Sequence, residues 1–488
     1  MMGNEIHELS DTWMEESFVL QRKAGLRNRA APLQDRIDRL EALKDWIKSN
    51  QKLIKEALHQ DLKKSGTEAA ITEIYVVLSE IQHAIHDLPK WAKPEKVKTP
   101  FSLLGSRSYV QVEPKGTTLI LSPWNYPFNL SVGPMVSAIA AGCTVMLKPS
   151  EMAPHTASLL EKMVGALYGR EQVTVLNGGV ELAKKLLKKP FDHVFFTGSP
   201  QVGKKVMEAA SKNLSSVTLV LGGKSPVIVD KGVDLEMTAE RIVWGKFINC
   251  GQTCLAPDYL LVHETDKEAL ISFLTQKINE LYNPRAKGII SNPDYGRLIN
   301  TAHLIRLQSL LKEALTGGAT IIVGGTVNEE ERYMEPTLLE GITTGMRLME
   351  EEIFGPILPL FTYRNIDEAI AMVSAQPKPL ALYLFSEEPH LTDHVSTHTS
   401  SGTVVVNDCA VQFGHPGLPF GGVGQSGLGK AHGKYGFLAF SNEKAVLKQK
   451  TGRTALSVLY PPYGLKEKKI TQFLMRWLRR NSLKQADS

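Results

Sequence analysis

TTLILSPWNYPFNLSVGPMVSAIAAGCTVMLKPSE, residues 117–151, begins with one short apolar run, TTLILS at 117–122, and reaches another, TVMLK at 144–148. Each run has the length of a strand, and the stretch between them has the length of a crossover helix rather than a hairpin turn. VTVL at 173–176, DHVFF at 192–196 and SVTLVL at 216–221 continue the series, roughly 20 to 30 residues apart with helical patterning between them. Near-continuous apolar runs of this kind suit parallel strands buried on both faces. The expected fold is therefore α/β, with a doubly wound parallel sheet.

Working outward, residues 33–86 read as helices, with Leu33, Ile37, Leu40, Leu43 and Ile47 at three- and four-residue spacing. The polar stretch WAKPEKVKTP separates them from the first strand. A second alternating series starts at PVIVD (226–230) and runs through a helix at 234–248, YLLVH, a helix at 266–281, ATIIVGG and LPLFTY. The pair Gly222-Gly223 marks the boundary between the two series, and a Gly-rich stretch at 414–433 closes the second. With 488 residues the chain exceeds what one core supports, so two large domains are expected.

Composition excludes several classes. Hydrophobic residues make up 43% and charged residues 22%, ordinary for a globular protein. The net charge of +5 is unevenly placed: residues from Lys444 onward carry +9 and the rest −4, so the body gives no case for nucleic-acid binding. Four cysteines, Cys143, Cys250, Cys254 and Cys409, are too few for a disulfide framework and lack zinc-like spacing, so no metal site is expected. No basic and apolar leader begins the chain and no run of 18 apolar residues occurs, which leads us to expect a cytoplasmic protein without a membrane span.

Three glycine patterns compete for a cofactor. Gly422, Gly424 and Gly427 match GxGxxG by letter but follow LPF rather than a strand, and read as a loop. GSPQVGKK at 198–205 approaches a phosphate loop, yet Lys205 stands where a metal-binding hydroxyl belongs. What remains is a strand, a turn and a helix from about Pro200, whose free N–H groups suit a pyrophosphate. KPSE at 148–151 follows a strand, where Lys148 and Glu151 are either ribose ligands or a solvated loop. Cys254, in FINCGQTCLAPDY, is by itself more often a buried small side chain than a nucleophile, and its place in a loop after glycine only modestly favours reactivity. Asn125 ends a strand, and its amide is placed to donate to a developing oxyanion.

PWNYPF, KPSE, FFTGS, LGGKSP, GQTC, EEIFGP and LPFGGVGQSG occur in the order and spacing of the aldehyde dehydrogenase superfamily, which the whole chain resembles. The wording of NCGQTCLAPDY and YPPY (460–463) is most similar to the class 3 branch, which acts on medium-chain, long-chain and aromatic aldehydes. The resemblance implies two doubly wound parallel-sheet domains plus a small bridging hairpin. It places a dinucleotide-binding domain at 1–94 and 118–220, a catalytic domain at 221–415, and bridging segments at 95–117 and 416–488 that build a homodimer. It further implies an aldehyde substrate, NAD or NADP as cofactor, Cys254 as nucleophile and Asn125 as oxyanion donor. Trp124, Lys148, Glu151, Gly198, Ser199, Gly203, Glu352 and Phe354 would contact the cofactor.

One position departs from the family. Its TLELGGKSP carries a glutamate that activates the hydrolytic water, but this chain reads TLVLGGKSP, with Val220 at that place. Valine accepts no proton, so acylation and hydride transfer are expected to proceed and hydrolysis to be slow. Two other readings stay open: an enzyme that passes its acyl group to coenzyme A, and a non-catalytic dinucleotide-binding protein. In the basic tail, Ile470, Phe473, Leu474, Trp477 and Leu478 form one helical stripe flanked by Arg476, Arg479 and Arg480. That helix reads equally as docked on protein or as lying peripherally on a membrane surface.

Overall fold

The computed structural model describes residues 11–100, 103–454, 456–457 and 460–486. Five of the apolar runs assemble into one six-stranded sheet in the order Gly427–Leu428, Ser216–Leu221, His193–Gly198, Thr117–Leu121, Thr144–Lys148, Val173–Val175. Its strands are parallel except Gly427–Leu428, which pairs antiparallel with Leu219 and Val220. Thr117–Leu121 and Thr144–Lys148 are buried throughout, the environment that their unbroken apolar composition calls for. The helix between them, Asn129–Ala141, is apolar all round and almost wholly buried.

The second series forms a seven-stranded sheet in the order Thr320–Val323, Thr337–Glu340, Ile357–Tyr363, Tyr259–His263, Pro226–Val229, Ala381–Phe385, Thr403–Val406. Only Thr320–Val323 runs antiparallel to its neighbour. The expected helices appear as Leu235–Phe247 and Lys267–Tyr282. The helical stretch at 33–86 is broken into Leu33–Ser49, Gln51–Leu62 and Gly66–Ala69, then one π-helical turn, Ala70–Tyr75, and Val76–Trp91. Leu40, Leu43 and Ile47 are fully buried, whereas Leu33 and Ile37 stay half-exposed.

The chain forms two compact units, Met1–Trp91 with Pro114–Ser441, and Ala92–Glu113 with Asn442–Ser488. Both large sheets belong to the first, as do residues 416–441. The second contains Glu95–Val97, most of Arg107–Pro114 and most of Ser441–Lys448, which form a three-stranded sheet, and the helix Leu465–Ala486. On that helix Phe473 and Met475 are exposed and Ile470 and Leu474 half-buried. The side chains of Trp477, Leu478, Arg479 and Arg480 lie outside the described residues. Among the described residues no helix is long and apolar enough to cross a membrane.

Candidate active site

The C-terminal ends of the strands in the first large sheet are where an open α/β sheet collects ligands. A cleft of about 530 Å³ opens there, lined by Trp124, Asn125, Gly198, Ser199, Val220, Cys254, Glu352 and Phe354 among others. This volume is in the range of small-molecule and cofactor sites. Lys148, Glu151 and Gly203 lie outside that lining. Lys148 is buried at the end of its strand, with Nζ 2.6 Å from Glu151 Oε2.

The helix Leu235–Phe247 delivers the Cys254 loop through a turn in which Asn249, Cys250 and Gly251 have φ of +52°, +57° and +73°. Three successive left-handed residues reverse the chain sharply. A Cβ on Gly251 would strike the carbonyl of Gly355, so that position admits only glycine. Gln252 then anchors the loop. Its Nε2 donates to the Asn249 and Arg297 carbonyls, each at 3.0 Å, and its Oε1 accepts from Ile299 N–H at 2.9 Å. Asn125 Nδ2 donates to the Gln252 carbonyl at 3.0 Å, and Asn249 Nδ2 donates to the Asn125 carbonyl at 2.8 Å. The amide of Asn125 and the cysteine loop are thereby locked together.

Glu352 and Phe354 come from EEIFGP. Asp258 Oδ1 accepts from Ile353 N–H at 2.9 Å, and Arg306 donates to the Ile353 carbonyl at 2.5 Å and to Glu351 at 3.2 Å. Lys224, buried in LGGKSP, ion-pairs with Asp258 and donates to the Leu348 carbonyl at 2.6 Å. Lys224, Asp258, Arg306 and Gln252 are absent from the sequence-based site. LGGKSP is legible as a motif, but only a long-range contact reveals what its lysine holds. Phe354 meets Trp124 edge to face at 5.3 Å. A Cβ on Gly222 would collide with the Glu352 carboxylate, so this glycine makes room for that side chain.

These residues suit a dinucleotide. Ser199 caps the helix Pro200–Ser211, its Oγ accepting from Val202 N–H at 3.4 Å, and that helix N-terminus faces the cleft with its positive dipole end. A Cβ on Gly203 would run into Leu221, so the helix packs close to its strand.

Electrostatics near Cys254 are unfavourable to an anion. Burial, and the Glu352 charge beside it, push the half-buried thiol up to about 12. Burial, with Asp258 nearby, pushes Glu352 up to about 8. In the cofactor-free protein, iodoacetamide modification of Cys254 followed by mass spectrometry is therefore expected to accelerate about tenfold per pH unit from about pH 7 to about pH 10, because only thiolate reacts. A plateau below about pH 9 would show an ordinary thiol. Cys250 differs: it is fully buried with Sγ 3.2 Å from Tyr295 Oη.

Val220 is buried in the strand between Thr197 and Gly427. Val220 lines both the main cleft and a second cavity of about 30 Å³, shared with Glu80 and His432. Burial pushes Glu80 up to about 7 and His432 down to about 4, so the histidine is neutral at physiological pH.

The chain matches the aldehyde dehydrogenase family over residues 14–446. It is 47% identical over 438 residues to 4,4'-diaponeurosporen-aldehyde dehydrogenase of Staphylococcus aureus, covering 90% of this chain and 94% of that protein. It is 42% identical to aldehyde dehydrogenase family 3 member A2 of Mus musculus, covering 92% and 91%. A solved structure of Staphylococcus aureus AldH in its substrate-bound state superposes with a TM-score of 0.89 at 44% identity, covering 94% of this chain and 99% of that one. Fold, cleft and full-length similarity agree: the chain belongs to the aldehyde dehydrogenase family, whose members oxidise aldehydes with NAD or NADP.

Proposed function

We propose that this chain oxidises medium-chain, long-chain or aromatic aldehydes through Cys254, and that it releases the acid slowly because Val220 stands where a general base belongs. The observation that carries this reading is one cleft lined by Cys254, Asn125 and Val220. Cys254 gives up its thiol proton to solvent, and the thiolate attacks the aldehyde carbon, forming the C–S bond while the carbonyl electrons move onto oxygen. Asn125 Nδ2 keeps one N–H on the Gln252 carbonyl and donates the other to that oxyanion, together with the N–H of Cys254. NAD or NADP bound in the cleft supplies the hydride acceptor. Loss of hydride leaves a thioester on Cys254, which water must cleave after giving up a proton. Val220 offers that proton no acceptor.

Trp124, Gly198, Ser199, Gly203, Glu352 and Phe354 are read as cofactor contacts, and Lys148 with Glu151 as ribose ligands. Residues 1–94 with 118–220 serve as the cofactor domain and 221–415 as the catalytic domain. The eight-residue strand Ser441–Lys448 is an edge of its three-stranded sheet, a place where a second copy adds by strand pairing, which supports a homodimer. The four cysteines, too few for a disulfide framework, fit a cytoplasmic location. The test is steady-state oxidation of an aldehyde series with NAD and with NADP, without and with coenzyme A. Turnover that stays slow with coenzyme A supports hydrolysis as the native route, whereas a strong coenzyme A dependence would replace it with acyl transfer. No reaction of Cys254 with aldehyde and cofactor would favour a purely binding protein.

The basic helix Leu465–Ala486 with exposed Phe473 and Met475 supports peripheral contact with an anionic membrane surface. Full-length protein is expected to sediment with anionic liposomes more strongly than a truncation after Tyr463. Equal sedimentation would refute the membrane role.

A further inference from the structure

The turn that presents Cys254 is strained. Asn249 and Cys250 both occupy the left-handed region without being glycine, a state that persists only where the surroundings over-determine it. One contact comes from far away in the chain. The N–H of Asn249, turned out of the preceding helix, donates to Glu68 Oε1 at 3.0 Å. Glu68 lies in Gly66–Ala69, where its own N–H is capped by Ser65 Oγ at 3.2 Å. The π-helical turn follows directly, and such turns recur at functional sites.

The same segment grips the other half of the site. Glu73, fully buried, accepts from Lys64 Nζ at 2.7 Å and from the Asn129 N–H at 2.8 Å, at the start of the helix that follows Asn125. Lys64 Nζ lies 4.1 Å over the Tyr126 ring, and the Tyr126 hydroxyl shares a 2.8 Å hydrogen bond with Thr253 Oγ1, one residue before the cysteine. Two carboxylates on one short segment thus hold the two chain segments that carry Asn125 and Cys254.

We infer that Glu68 is a positioning residue for the first half-reaction: its carboxylate on the Asn249 N–H fixes the left-handed turn so that Cys254 and Asn125 stay in register. The inference rests on Cys254 being the nucleophile. Its ionisation has a consequence near neutral pH. Burial pushes Glu68 up to about 7 against the opposing pull of Lys64, with Glu73 and Asp294 also facing it, and its charge is felt by Tyr126, Cys250 and Tyr282. Below that pH the group is neutral and its hydrogen bond to Asn249 loses charge assistance. Acylation should therefore gain a component that rises with pH through about 7, added to the thiol's own dependence.

The test is the first-turnover rate of reduced-cofactor formation in the unaltered protein, Glu68→Ala and Glu68→Gln, with cofactor affinity read separately by tryptophan fluorescence. Misplacement by about 1 Å costs up to about 10²-fold, so Glu68→Ala is expected to slow the first turnover about 10- to 100-fold with cofactor affinity within about twofold. Glu68→Gln keeps an acceptor for the Asn249 N–H and should recover to within about threefold of the unaltered rate, without the component near pH 7. An unaltered rate in Glu68→Ala, or a Gln variant as slow as Ala, would overturn the inference. If the Ala variant does not fold, the pH profile of Glu68→Gln decides, and one identical to the unaltered protein's overturns it. Absence of any first-turnover product in the unaltered protein would remove Cys254 as nucleophile and the inference with it.

Discussion

Replacing Val220 by glutamate is expected to raise steady-state turnover by about 10²- to 10⁴-fold while changing the first-turnover rate by less than about threefold, since a positioned base is worth that much on the step it serves. The backbone at 220 is held by strand pairing to Thr197 on one side and Gly427 on the other, so the new side chain projects from a fixed point. Val220 lines the cavity of about 30 Å³ as well as the main cleft, so space for a longer side chain exists. Its surroundings favour a base of raised pKa. Glu80 shares the small cavity and Glu352 the main one, and burial holds both well above the ordinary carboxylate range. A carboxyl at 220 should join them near neutrality, where a general base is most effective. The gain should therefore grow with pH as that carboxyl ionises. A variant in which turnover stays slow while the first turnover remains intact would contradict the assignment of position 220.

Asn125→Ala should act on the opposite half-reaction. Removing one oxyanion donor costs about 10²- to 10³-fold in rate, so the first turnover is expected to slow by that factor. Cofactor affinity should change little, because the Asn125 amide contacts the Gln252 carbonyl rather than the helix N-terminus at Ser199. Asn125→Asp should be slower still, since it sets a negative charge beside a developing one. Rapid-quench measurement of acyl-enzyme checks both variants. Equal loss of cofactor affinity and acylation rate would point instead to collapse of the Asn249–Gln252 loop.

Most of the first sheet was legible because its strands are buried on both faces and so read as continuous apolar runs. Gly427–Leu428 was not, since two residues beginning with a glycine carry no periodicity. Thr337–Glu340, Ala381–Phe385 and Thr403–Val406 were also unread, although they are no shorter than Pro226–Val229. The helix Asp11–Asn28 escaped for a different reason. Its buried side includes Ser17 and Gln21, and Gln21 is buried because its amide donates to the Val145 carbonyl at 2.9 Å, a partner 124 residues away.

The site divides in the same way. Asn125, Val220 and Cys254 stand in motifs whose order alone marks them. Gln252, Lys224, Arg306 and Glu68 work through carbonyls and N–H groups distant in sequence, and no local pattern announces such contacts. Burial likewise decides the chemistry of Cys254 and Glu352, whose raised pKa values depend on neighbours brought in by folding.

The most direct measurement is stopped-flow absorbance of reduced cofactor after mixing the unaltered protein with excess aldehyde and cofactor. With Val220 in place, a burst of about one equivalent per Cys254 is expected, followed by a phase about 10²-fold or more slower. Linear production from the first turnover at an ordinary rate would contradict the account and transfer the hydrolytic role to another group, such as Glu352, whose charge is felt at Cys254.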